Sequence, residues 1–418
     1  MKYSCEITRT LEADVVVIGG GTAGVFAAVA AAKTGAKTVL VEKNAVLGGT
    51  MTAAGVNFPG LFFAWGKQII AGPCWESVER TVALGGGKLP EITFKPERHW
   101  HEQIRLNSFV YIHVLFDMCR EAGVEVYCNT MLADAAEEEQ GVTLILTDKS
   151  GLLAVRAAAA VDATGDANLT SLLGGAVVKS EIQQPATLQN HLSGYDPEDV
   201  SEREIEEKLP AAALPSHITA KKIMGWLRHY KFDLHIPCAD ADTSRGRTTL
   251  EQTAYAHLMK LYEFLRDIRG LQNLQVEYVA AETGVRETNR IVGKGTVTAE
   301  EYISGHFYPD SVCYAFYPID LHVMHGIRQT YHADNVVGKI PFSALIPAGT
   351  RHLLCAGRCI SSDTLANSAV RVEAVCMATG QAAGCAAALS AKNGTTADGV
   401  QYSILCDALR SIGAIVPE

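Results

Sequence analysis

The sequence lacks several patterns that would point to a particular class of protein. Its eleven cysteines include no Cys-x-x-Cys pair, which argues against a zinc ribbon or an ordinary iron–sulfur run. It has no excess of positive charge either: the formal net charge is -10, whereas nucleic-acid binding needs a basic face. We find no low-complexity tract and no internal repeat. What is there is a globular composition, 48% hydrophobic and 20% charged, in a chain of 418 residues, long enough for two domains.

No membrane span and no signal peptide are expected. Residues 13–32 are apolar enough to resemble one, but the glycines at 19–21 interrupt the stretch, and no basic segment with a cleavage site precedes it. The scattered cysteines are expected to be reduced and mostly buried, as in a cytoplasmic protein. No metal site is expected, and the His-x-His pair of His99 and His101 is assigned to a loop.

The N-terminal part has the pattern of a βαβ unit. Residues 14–18 are a short β-branched run typical of a buried parallel strand, and residues 38–42 return to strand composition. Between them, the Ala-rich residues 22–34 favour a helix that ends at Gly35. Together these segments make one complete crossover between two parallel strands.

The loop between the first strand and the helix matches Gly-x-Gly-x-x-Gly, which is typical of dinucleotide binding. Its glycines allow a tight turn, a close approach of a pyrophosphate to the backbone, and close packing of the helix on the strand. The helix N-terminus then offers free N–H groups to the phosphates. Glu42 ends the second strand, where its carboxylate can accept hydrogen bonds from a ribose. The motif comprises Gly19, Gly20, Gly21, Thr22, Ala23 and Gly24.

Two further segments of small residues favour FAD over NAD as the dinucleotide. Residues 48–52 form a flexible Gly-Gly-Thr-Met-Thr loop soon after Glu42, and residues 161–166 end a later strand with small side chains. The ribityl and isoalloxazine parts of a flavin need such backbone beside them, whereas a nicotinamide cofactor does not need the first loop. No second Gly-x-Gly-x-x-Gly is evident, so a dedicated NAD(P)H domain is not expected.

The rest of the chain divides by composition. Nine of the thirteen histidines lie between residues 176 and 334, and after about residue 335 the chain is again apolar and glycine-rich. Residues 1–175 and 335–418 are therefore expected to form one domain, which a second domain of residues 176–334 interrupts. The patterns predict helices over 105–122, 199–208, 217–231, 249–269 and 369–391, and strands over 124–128, 142–147, 152–163, 275–280 and 353–356.

With these segments in place, the sequence resembles the FAD-dependent oxidoreductases of the glutathione-reductase-like flavoprotein superfamily. The resemblance implies an α/β fold: a Rossmann-like FAD-binding domain of glutathione-reductase type with an inserted α+β substrate domain. It also implies non-covalent FAD and redox chemistry on a small organic molecule. The matching stretches follow the family's order along nearly the whole chain, at residues 15–24, 41–43, 47–50, 162–166, 184–188, 286–293, 317–322 and 354–389.

We expect FAD to contact residues from both ends of the chain. The expected contacts are Gly19, Gly21, Thr22, Ala23, Gly24, Glu42, Lys43, Gly48, Gly49, Thr50, Thr52, Leu132, Thr164, Gly165, Asp166, Gly357, Arg358 and Arg371.

The predicted C-terminal helix has features that suit a flavin. Asn367 and Ser368 are natural N-cap residues for it, and Arg371 then lies in its first turn, where a cation opposes the helix dipole unless an anion is nearby. In the family that the chain resembles, this helix points its N-terminus at the pyrimidine end of the flavin. The alternative is that Arg358 and Arg371 are surface arginines in ordinary ion pairs. Further along, Gly380 and Gly384 lie four apart and allow a close approach by another backbone.

His322 is the first candidate for a general acid or base, because hydride transfer to or from a flavin also requires proton exchange with the substrate. In a strand, Asp320 and His322 face the same way, so the carboxylate can orient the imidazole; the alternative is a structural histidine in the core. His191 and His325 are weaker candidates.

Arg286 and Arg290 are candidates for binding the substrate. If they are helical, they share a face with Glu282, and they either clamp a carboxylate or form a ladder of ion pairs.

The predicted function is an FAD-dependent dehydrogenase or reductase that transfers a hydride between flavin N5 and a small organic substrate. One alternative is an oxidase or hydroxylase that uses O₂. Two alternatives of another class are a flavoprotein of RNA modification and an electron-carrier subunit; the acidic charge and the missing iron–sulfur cysteines argue against them. We expect no nucleic-acid or membrane partner, and the oligomeric state stays open, a homo-oligomer included.

Overall fold

The computed structural model describes residues 6–89, 92, 103–215 and 217–418, so His99 and His101 lie outside the described residues. The N-terminal part is a βαβ unit followed by a three-stranded meander. In the first strand, the last four residues are buried on both faces, as in other parallel sheets. These elements are β1 (Thr10–Ile18), α1 (Thr22–Lys33), β2 (Thr38–Val41), β3 (Phe63–Ala64), β4 (Lys67–Gln68), α2 (Pro73–Ala83), α3 (Ser108–Ala122), β5 (Glu125–Tyr127), β6 (Met131–Glu138), β7 (Gly141–Asp148) and β8 (Gly151–Asp162).

The middle of the chain carries amphipathic helices and short strands, and the C-terminal part returns to the first core. The middle elements are α4 (Asn168–Leu172), β9 (Val177–Lys179), β10 (Asn190–Ser193), α5 (Glu202–Lys208), α6 (Ala220–Arg228), α7 (Ser244–Arg266), β11 (Gln275–Val279), β12 (Asn289–Ile291), α8 (Ala299–Ser304), β13 (Ser311–Ala315), β14 (Ile319–Val323) and β15 (Gly326–Thr330). The C-terminal elements are β16 (Gly338–Pro341), β17 (Leu353–Cys355), α9 (Thr364–Val370), α10 (Glu373–Asn393) and α11 (Tyr402–Ser411).

The central sheet has seven strands in the order β5-β2-β1-β8-β7-β6, with β17 also paired to β8. Strand β1 is parallel to β2 and β8, whereas β7 is antiparallel to both of its neighbours. At 12 residues, β8 is long enough for two partners on one edge: residues 151–157 pair with β7 and residues 160–162 with β17. The protein is thus a mixed α/β fold with a Rossmann-like parallel core, as the sequence predicted.

Helices α1 and α10 pack against each other through two glycines. A Cβ at Gly380 would lie 2.2 Å from the Ala23 carbonyl oxygen, and one at Gly384 would lie 2.0 Å from that of Ala27. The predicted close approach is therefore confirmed. Among the described residues, α10 is also the one helix long and apolar enough to cross a membrane, and 94% of its apolar window is buried inside the protein.

The single helix predicted over 369–391 is wrong, because the chain forms two helices that break at Arg371 and Val372. Asn367 and Ser368 are not N-caps but lie buried inside α9, whose N-cap is Asp363. The Asp363 carboxylate accepts a hydrogen bond from the backbone N–H of residue 366 at 2.7 Å. The N-cap of α10 is Val372, which has no capping side chain.

The apolar side chains form two main clusters. The larger one surrounds α1 and α10 and includes residues 297–346 as well as both ends of the chain. The second is built from residues 186–285, from α6 and α7 together with the segments that connect the helices and strands. The domain boundaries at 175 and 335 remain a prediction. The ten cysteines among the described residues are free, and all except Cys128 are buried.

Candidate functional site

The glycine loop between β1 and α1 is a cradle that side chains would fill. Gly19 has a φ of +100°, and a Cβ at Gly24 would lie 1.7 Å from the Gly19 carbonyl oxygen. Among the described residues, a Cβ at Gly21 would meet only the Gly49 Cα, at 3.7 Å. Gly21 is the N-cap of α1, so no side chain of that residue covers the first turn of the helix. An uncapped helix N-terminus beside an open glycine fits a pyrophosphate.

The second small-residue loop, residues 48–52, lies directly against the glycine loop. The Gly48 N–H donates to the Gly20 carbonyl at 2.9 Å, and the Thr22 hydroxyl donates to the Gly48 carbonyl at 3.3 Å. A Cβ at Gly49 would lie 2.8 Å from the Gly21 Cα. Thr50 follows in the short 3₁₀ turn of residues 49–51. The Thr52 hydroxyl closes the loop by donating to the Leu47 carbonyl at 2.6 Å. The two loops form one continuous backbone surface.

Glu42 ties the glycine loop to β2. Its carboxylate accepts the Gly20 N–H at 2.7 Å and the Asn44 N–H at 2.8 Å. Burial raises the pKa of Glu42, and these two hydrogen bonds oppose that effect. Each carboxylate oxygen keeps a second lone pair, so the predicted bond to a ribose remains open. Lys43 instead forms an ion pair with Glu282, and so joins this loop to the middle segment.

Leu132 lies in β6, half-buried against the apolar cluster on the outer face of the sheet. Its predicted contact with FAD stays a prediction.

The turn after β8 is held by buried polar groups. Asp162 accepts hydrogen bonds from the backbone and hydroxyl of Thr164 and of Thr170, at 2.7–3.1 Å. Asp166 pairs with Arg358 at 2.6 Å, and the Arg358 Nε donates to the Gly165 carbonyl at 2.8 Å. The structure therefore gives Arg358 an ordinary ion pair that fixes this turn. The adjacent Gly357, with φ +85°, packs against α1, since a Cβ there would lie 2.8 Å from that of Ala23.

Arg371 lies between the two C-terminal helices. It is the C-cap of α9, where a cation is favourable, rather than part of a first turn. Its Nη2 donates to the Asp320 carbonyl at 3.5 Å, and its Nε is buried without a hydrogen-bond partner among the described residues. Glu373 follows as the first residue of α10, and burial raises its pKa to about 7. The sequence interpretation missed this acid.

Three extended segments bring further polar residues together beside β14. Ala186 exchanges two backbone hydrogen bonds with Ile236, and Thr187 does the same with Gly284. Because these segments run side by side, the residues next to the bonded positions become neighbours. Together with β14 and the α9–α10 junction they form what we call the histidine–arginine cluster, whose members are His235, Arg286, Asp320, His322 and Arg371.

His322 and Asp320 meet as predicted from the alternation along a strand. The imidazole Nε2 lies 2.9 Å from Asp320 Oδ2. The backbone N–H of His322 donates to Gln184 Oε1 at 3.0 Å. Gln329 donates to the other carboxylate oxygen of Asp320 at 2.8 Å. A third residue, His235, was not predicted: its Nε2 lies 3.3 Å from His322 Nδ1, and its Nδ1 lies 2.9 Å from the Val323 carbonyl.

The pKa values of His235 and His322 are both lowered, which favours the neutral form of each ring. Burial lowers the pKa of His322 to about 4; the Asp320 hydrogen bond raises it again in part, and the Arg286 and Arg371 charges lower it further. Burial also lowers the pKa of His235. For Asp320, burial opposes ionisation, yet the hydrogen bond and charge of His322 lower its pKa overall.

The chain of contacts has room for one more proton than it holds at neutral pH. Its three contacts need three hydrogens, because a carbonyl and an ionised carboxylate can only accept. Two neutral imidazoles supply two. One of the three contacts therefore lacks a hydrogen, and the tautomers of the two rings decide which one. In this state the two imidazoles together can accept one proton.

The helical interpretation of Arg286 and Arg290 is wrong, because residues 280–288 are irregular and Arg290 lies in β12. Arg290 is buried beside Glu287, with Nη1 at 3.4 Å from the carboxylate, and its Nε donates to Ser362 at 3.0 Å. It therefore has a structural partner. Arg286 does face the histidine–arginine cluster, and burial lowers its pKa to about 10, with the Arg371 charge contributing.

The remaining candidates lie elsewhere. His191 is exposed and contacts the Tyr230 carbonyl at 3.1 Å, and His325 is exposed and packs edge-on against His217. Within the described ranges, no group of three metal-ligating side chains is close enough to hold an ion. Sequence reasoning missed His235 because it is separated from its partner by 87 residues of chain.

Curated proteins resemble parts of this chain. A 48-residue stretch is 58% identical to mitochondrial dihydrolipoyl dehydrogenase of Caenorhabditis elegans, covering 12% of this chain and 10% of that protein. A 184-residue stretch is 24% identical to thiamine thiazole synthase of Methanococcus vannielii, covering 41% of this chain and 64% of that protein. The chain thus spans less than two thirds of the length of these relatives.

Among solved structures, a geranylgeranyl bacteriochlorophyll reductase-like protein from Thermoplasma acidophilum aligns with 96% of this chain and 83% of its own, with 15% identity and a TM-score of 0.44. Another is p-nitrophenol 4-monooxygenase from Pseudomonas putida, with 12% identity and a TM-score of 0.43 over 96% and 84%.

A family model provides the assignment. Residues 14–409 match the model described as FAD dependent oxidoreductase, which is nearly the whole chain. The match includes the glycine cradle, the loop packed against it and the returning helix α10, and these are the parts that fit a dinucleotide. The protein therefore belongs to the FAD dependent oxidoreductase family, and it is an enzyme whose cofactor is FAD.

Proposed function

We propose that the enzyme oxidises a small organic substrate by removing a hydride and a proton, and that the His235–His322 pair takes the proton. When bound, FAD supplies the ring that accepts the hydride. Oxidation of a CH–OH group to C=O releases a hydride and a proton, and the proton needs an acceptor within the protein. The observation that carries the proposal is the pair of facing imidazole nitrogens, 3.3 Å apart, beside an oriented carboxylate.

The surrounding residues suit this role. Asp320 fixes the ring of His322 and balances the charge that forms on protonation, and Gln184 and Ser368 hold the backbone of β14 through hydrogen bonds at 3.0 Å. Burial, together with the charges of Arg286 and Arg371, keeps His322 unprotonated at rest, so the ring is able to accept a proton. The sheet order and the return of β17 and α10 to the first core support the finer proposal of a glutathione-reductase-type FAD domain. That FAD is bound non-covalently is what the family resemblance implies.

The test is anaerobic mixing of the FAD-loaded enzyme with a panel of small hydroxy and amino acids, with flavin bleaching as the readout. With the most active compound, His322→Ala is expected to retain FAD and to bleach about 10²- to 10⁴-fold more slowly, the range for a lost acid/base. His235→Ala should bleach more slowly too, by a smaller factor. His113→Ala, on an exposed part of α3, is the control and should match the unsubstituted enzyme.

The pH dependence of the bleaching rate tests whether the histidine pair acts as a base. Because the pKa of His322 lies at about 4, the bleaching rate should be constant from neutral pH down to about pH 5 and fall at lower pH, where the pair is already protonated. Asp320, Arg286 and Arg371 act on the same ring, so their ionisation must be considered in the fit. Full activity of His322→Ala would contradict the proposal.

The alternative that the enzyme uses O₂ is tested by admitting air after bleaching. Slow reoxidation of the flavin would argue against that alternative.

A further inference from the structure

We propose that the substrate is a small carboxylic acid and that the Arg286 guanidinium binds its carboxylate through two parallel hydrogen bonds. This inference rests on the proposed function, because it assigns a substrate class to the same site. It concerns Arg286, which belongs to the histidine–arginine cluster, and not Arg290, which does not.

The hydrogen bonds of Arg286 leave one edge of the guanidinium free. Nη1 and Nη2 both donate to the Thr187 hydroxyl at 3.1 Å, so the end of the fork is occupied. Nη1 also donates to the Pro185 carbonyl. No acceptor among the described residues takes the Nε–H or the second Nη2–H. These two N–H groups point in the same direction within the plane of the guanidinium and form the edge that holds a carboxylate in a bidentate fashion.

The free edge belongs to a fixed group. Residues 185–187 are held between Ile236 and Gly284 by two pairs of backbone hydrogen bonds. Thr187 is 3% exposed, so the acceptor that orients the guanidinium is itself immobile. An arginine that is oriented before the ligand arrives loses less conformational freedom on binding.

The charge of Arg286 is not neutralised within the protein. In the described part of the chain, no carboxylate forms an ion pair with Arg286 or with Arg371. Asp320 and Asp233 influence the Arg286 charge from a distance, whereas Arg371 repels it. Neither of these carboxylates contacts the guanidinium, so its free edge has no anionic partner among the described residues. A buried cation without a counter-ion is costly, so an anionic ligand gains that energy.

Arg371, whose Nε also lacks a hydrogen-bond partner among the described residues, is assigned to the cofactor rather than to the substrate. Arg371 lies at the α9–α10 junction, on the side where the family resemblance puts the flavin, and it keeps its predicted role toward the cofactor. Arg286 comes from the middle segment, beside the proton-accepting pair. A carboxylate on Arg286 would direct the rest of a small acid toward His322.

The proposal can be tested by binding rather than by turnover. The FAD-loaded enzyme is titrated with acetate, benzoate and succinate and with their neutral amides, acetamide, benzamide and succinamide, while changes in the visible flavin spectrum are recorded. At least one carboxylate is expected to perturb the spectrum with an affinity at least tenfold above that of its amide.

Variants at position 286 identify the group that binds. Arg286→Gln should weaken binding of that carboxylate by about 10- to 100-fold, which is the loss of a charge-assisted bidentate contact. Arg286→Lys keeps the charge without the fork and is expected to lose on the order of tenfold. Arg269→Gln, whose side chain is 88% exposed, is the matched control and should bind as the unsubstituted enzyme does. If Arg286→Gln does not retain FAD, the Lys variant and the amide comparison decide.

Equal binding of acids and amides, unchanged binding in Arg286→Gln and Arg286→Lys, or no spectral response to any of the three carboxylates would overturn the proposal. Failure of the proposed redox function looks different. In that case carboxylates still bind in an Arg286-dependent manner, but no hydroxy or amino acid bleaches the flavin and His322→Ala changes nothing.

Discussion

At the scale of single residues, two glycines of the same loop have different reasons to be glycine. Gly24 is required by the protein, because a Cβ there would lie 1.7 Å from the Gly19 carbonyl oxygen. Gly21 has a φ of -74°, which any residue adopts, and a Cβ would find 3.7 Å of space. The space beside Gly21 is therefore large enough for part of a ligand. The sequence motif shows three glycines of equal standing, and only the packing separates these roles.

This difference gives the first prediction. Gly21→Ala should fold with a stability within about 1 kcal/mol of the unsubstituted protein, because only a helix N-cap changes. It should nevertheless lose FAD, because the methyl group takes the space of a phosphate. Gly24→Ala should lower the yield of folded protein. Circular dichroism with urea reports folding, and the flavin spectrum reports the cofactor. Normal FAD content in Gly21→Ala would show that the phosphates do not approach this residue.

The residue scale also shows what sequence patterns can reach. The two-residue alternation of a strand was enough to place Asp320 beside His322. The spacing of Arg286 and Arg290 was misleading, because it matches a helix while the chain there is extended, and Arg290 is taken up by a buried ion pair with Glu287. His235 could not be found, since only the pairing of Ile236 with residue 186 brings it into the site.

At the scale of elements, the crossover helix and the returning helix act as one unit. Apolar patterning located α1 and most of α10, because both are long and rich in alanine. It missed the break between α9 and α10, since Arg371 and Val372 are not helix-breaking residues and no glycine or proline marks the position. The break is imposed by packing: the residue 374 N–H donates to the Pro59 carbonyl at 2.6 Å, outside the helix.

The interface of these helices gives the second prediction. Gly380→Ala and Gly384→Ala should each destabilise the protein by about 1–3 kcal/mol or more, because the added Cβ overlaps the backbone of α1. Gly225 lies in α6, and among the described residues outside its own helical turn no atom comes within 4 Å of the position of a Cβ, so Gly225→Ala is the control. It should stabilise by about 0.5–1 kcal/mol through helix propensity. Urea unfolding midpoints give the comparison, and a neutral effect at both 380 and 384 would mean that the helices can separate without cost.

At the scale of the whole molecule, the proposed substrate site draws its residues from beside both apolar clusters: Asp320, His322 and Arg371 lie next to members of the large one. Every predicted FAD contact lies before residue 175 or after residue 335; most lie around the large cluster, and Leu132 packs against a third one. Arg286 and His235 are fixed by extended segments packed on the second cluster. The segments meet through polar contacts, among them the Lys43–Glu282 ion pair and the hydrogen bond from Thr288 to Asp166 at 2.6 Å. The histidine-rich segment of residues 176–334 does not coincide with the second cluster, because apolar residues of 297–319 pack in the large one, and composition could not show this.

This arrangement predicts how FAD affects unfolding. FAD that binds only the folded large cluster stabilises it by about 1.4 kcal/mol for each tenfold increase in concentration above Kd. Trp75 packs against that cluster and Trp226 against the second one, so each reports one part. Two variants that each retain one of these tryptophans, with the chain's other three replaced by Phe, allow both parts to be followed by fluorescence in urea. The Trp75 midpoint should rise with FAD and the Trp226 midpoint should rise much less. If both midpoints rise together, the polar contacts at residues 43, 166, 282 and 288 couple the two clusters into one cooperative unit, and the substrate site then responds to the cofactor as a whole.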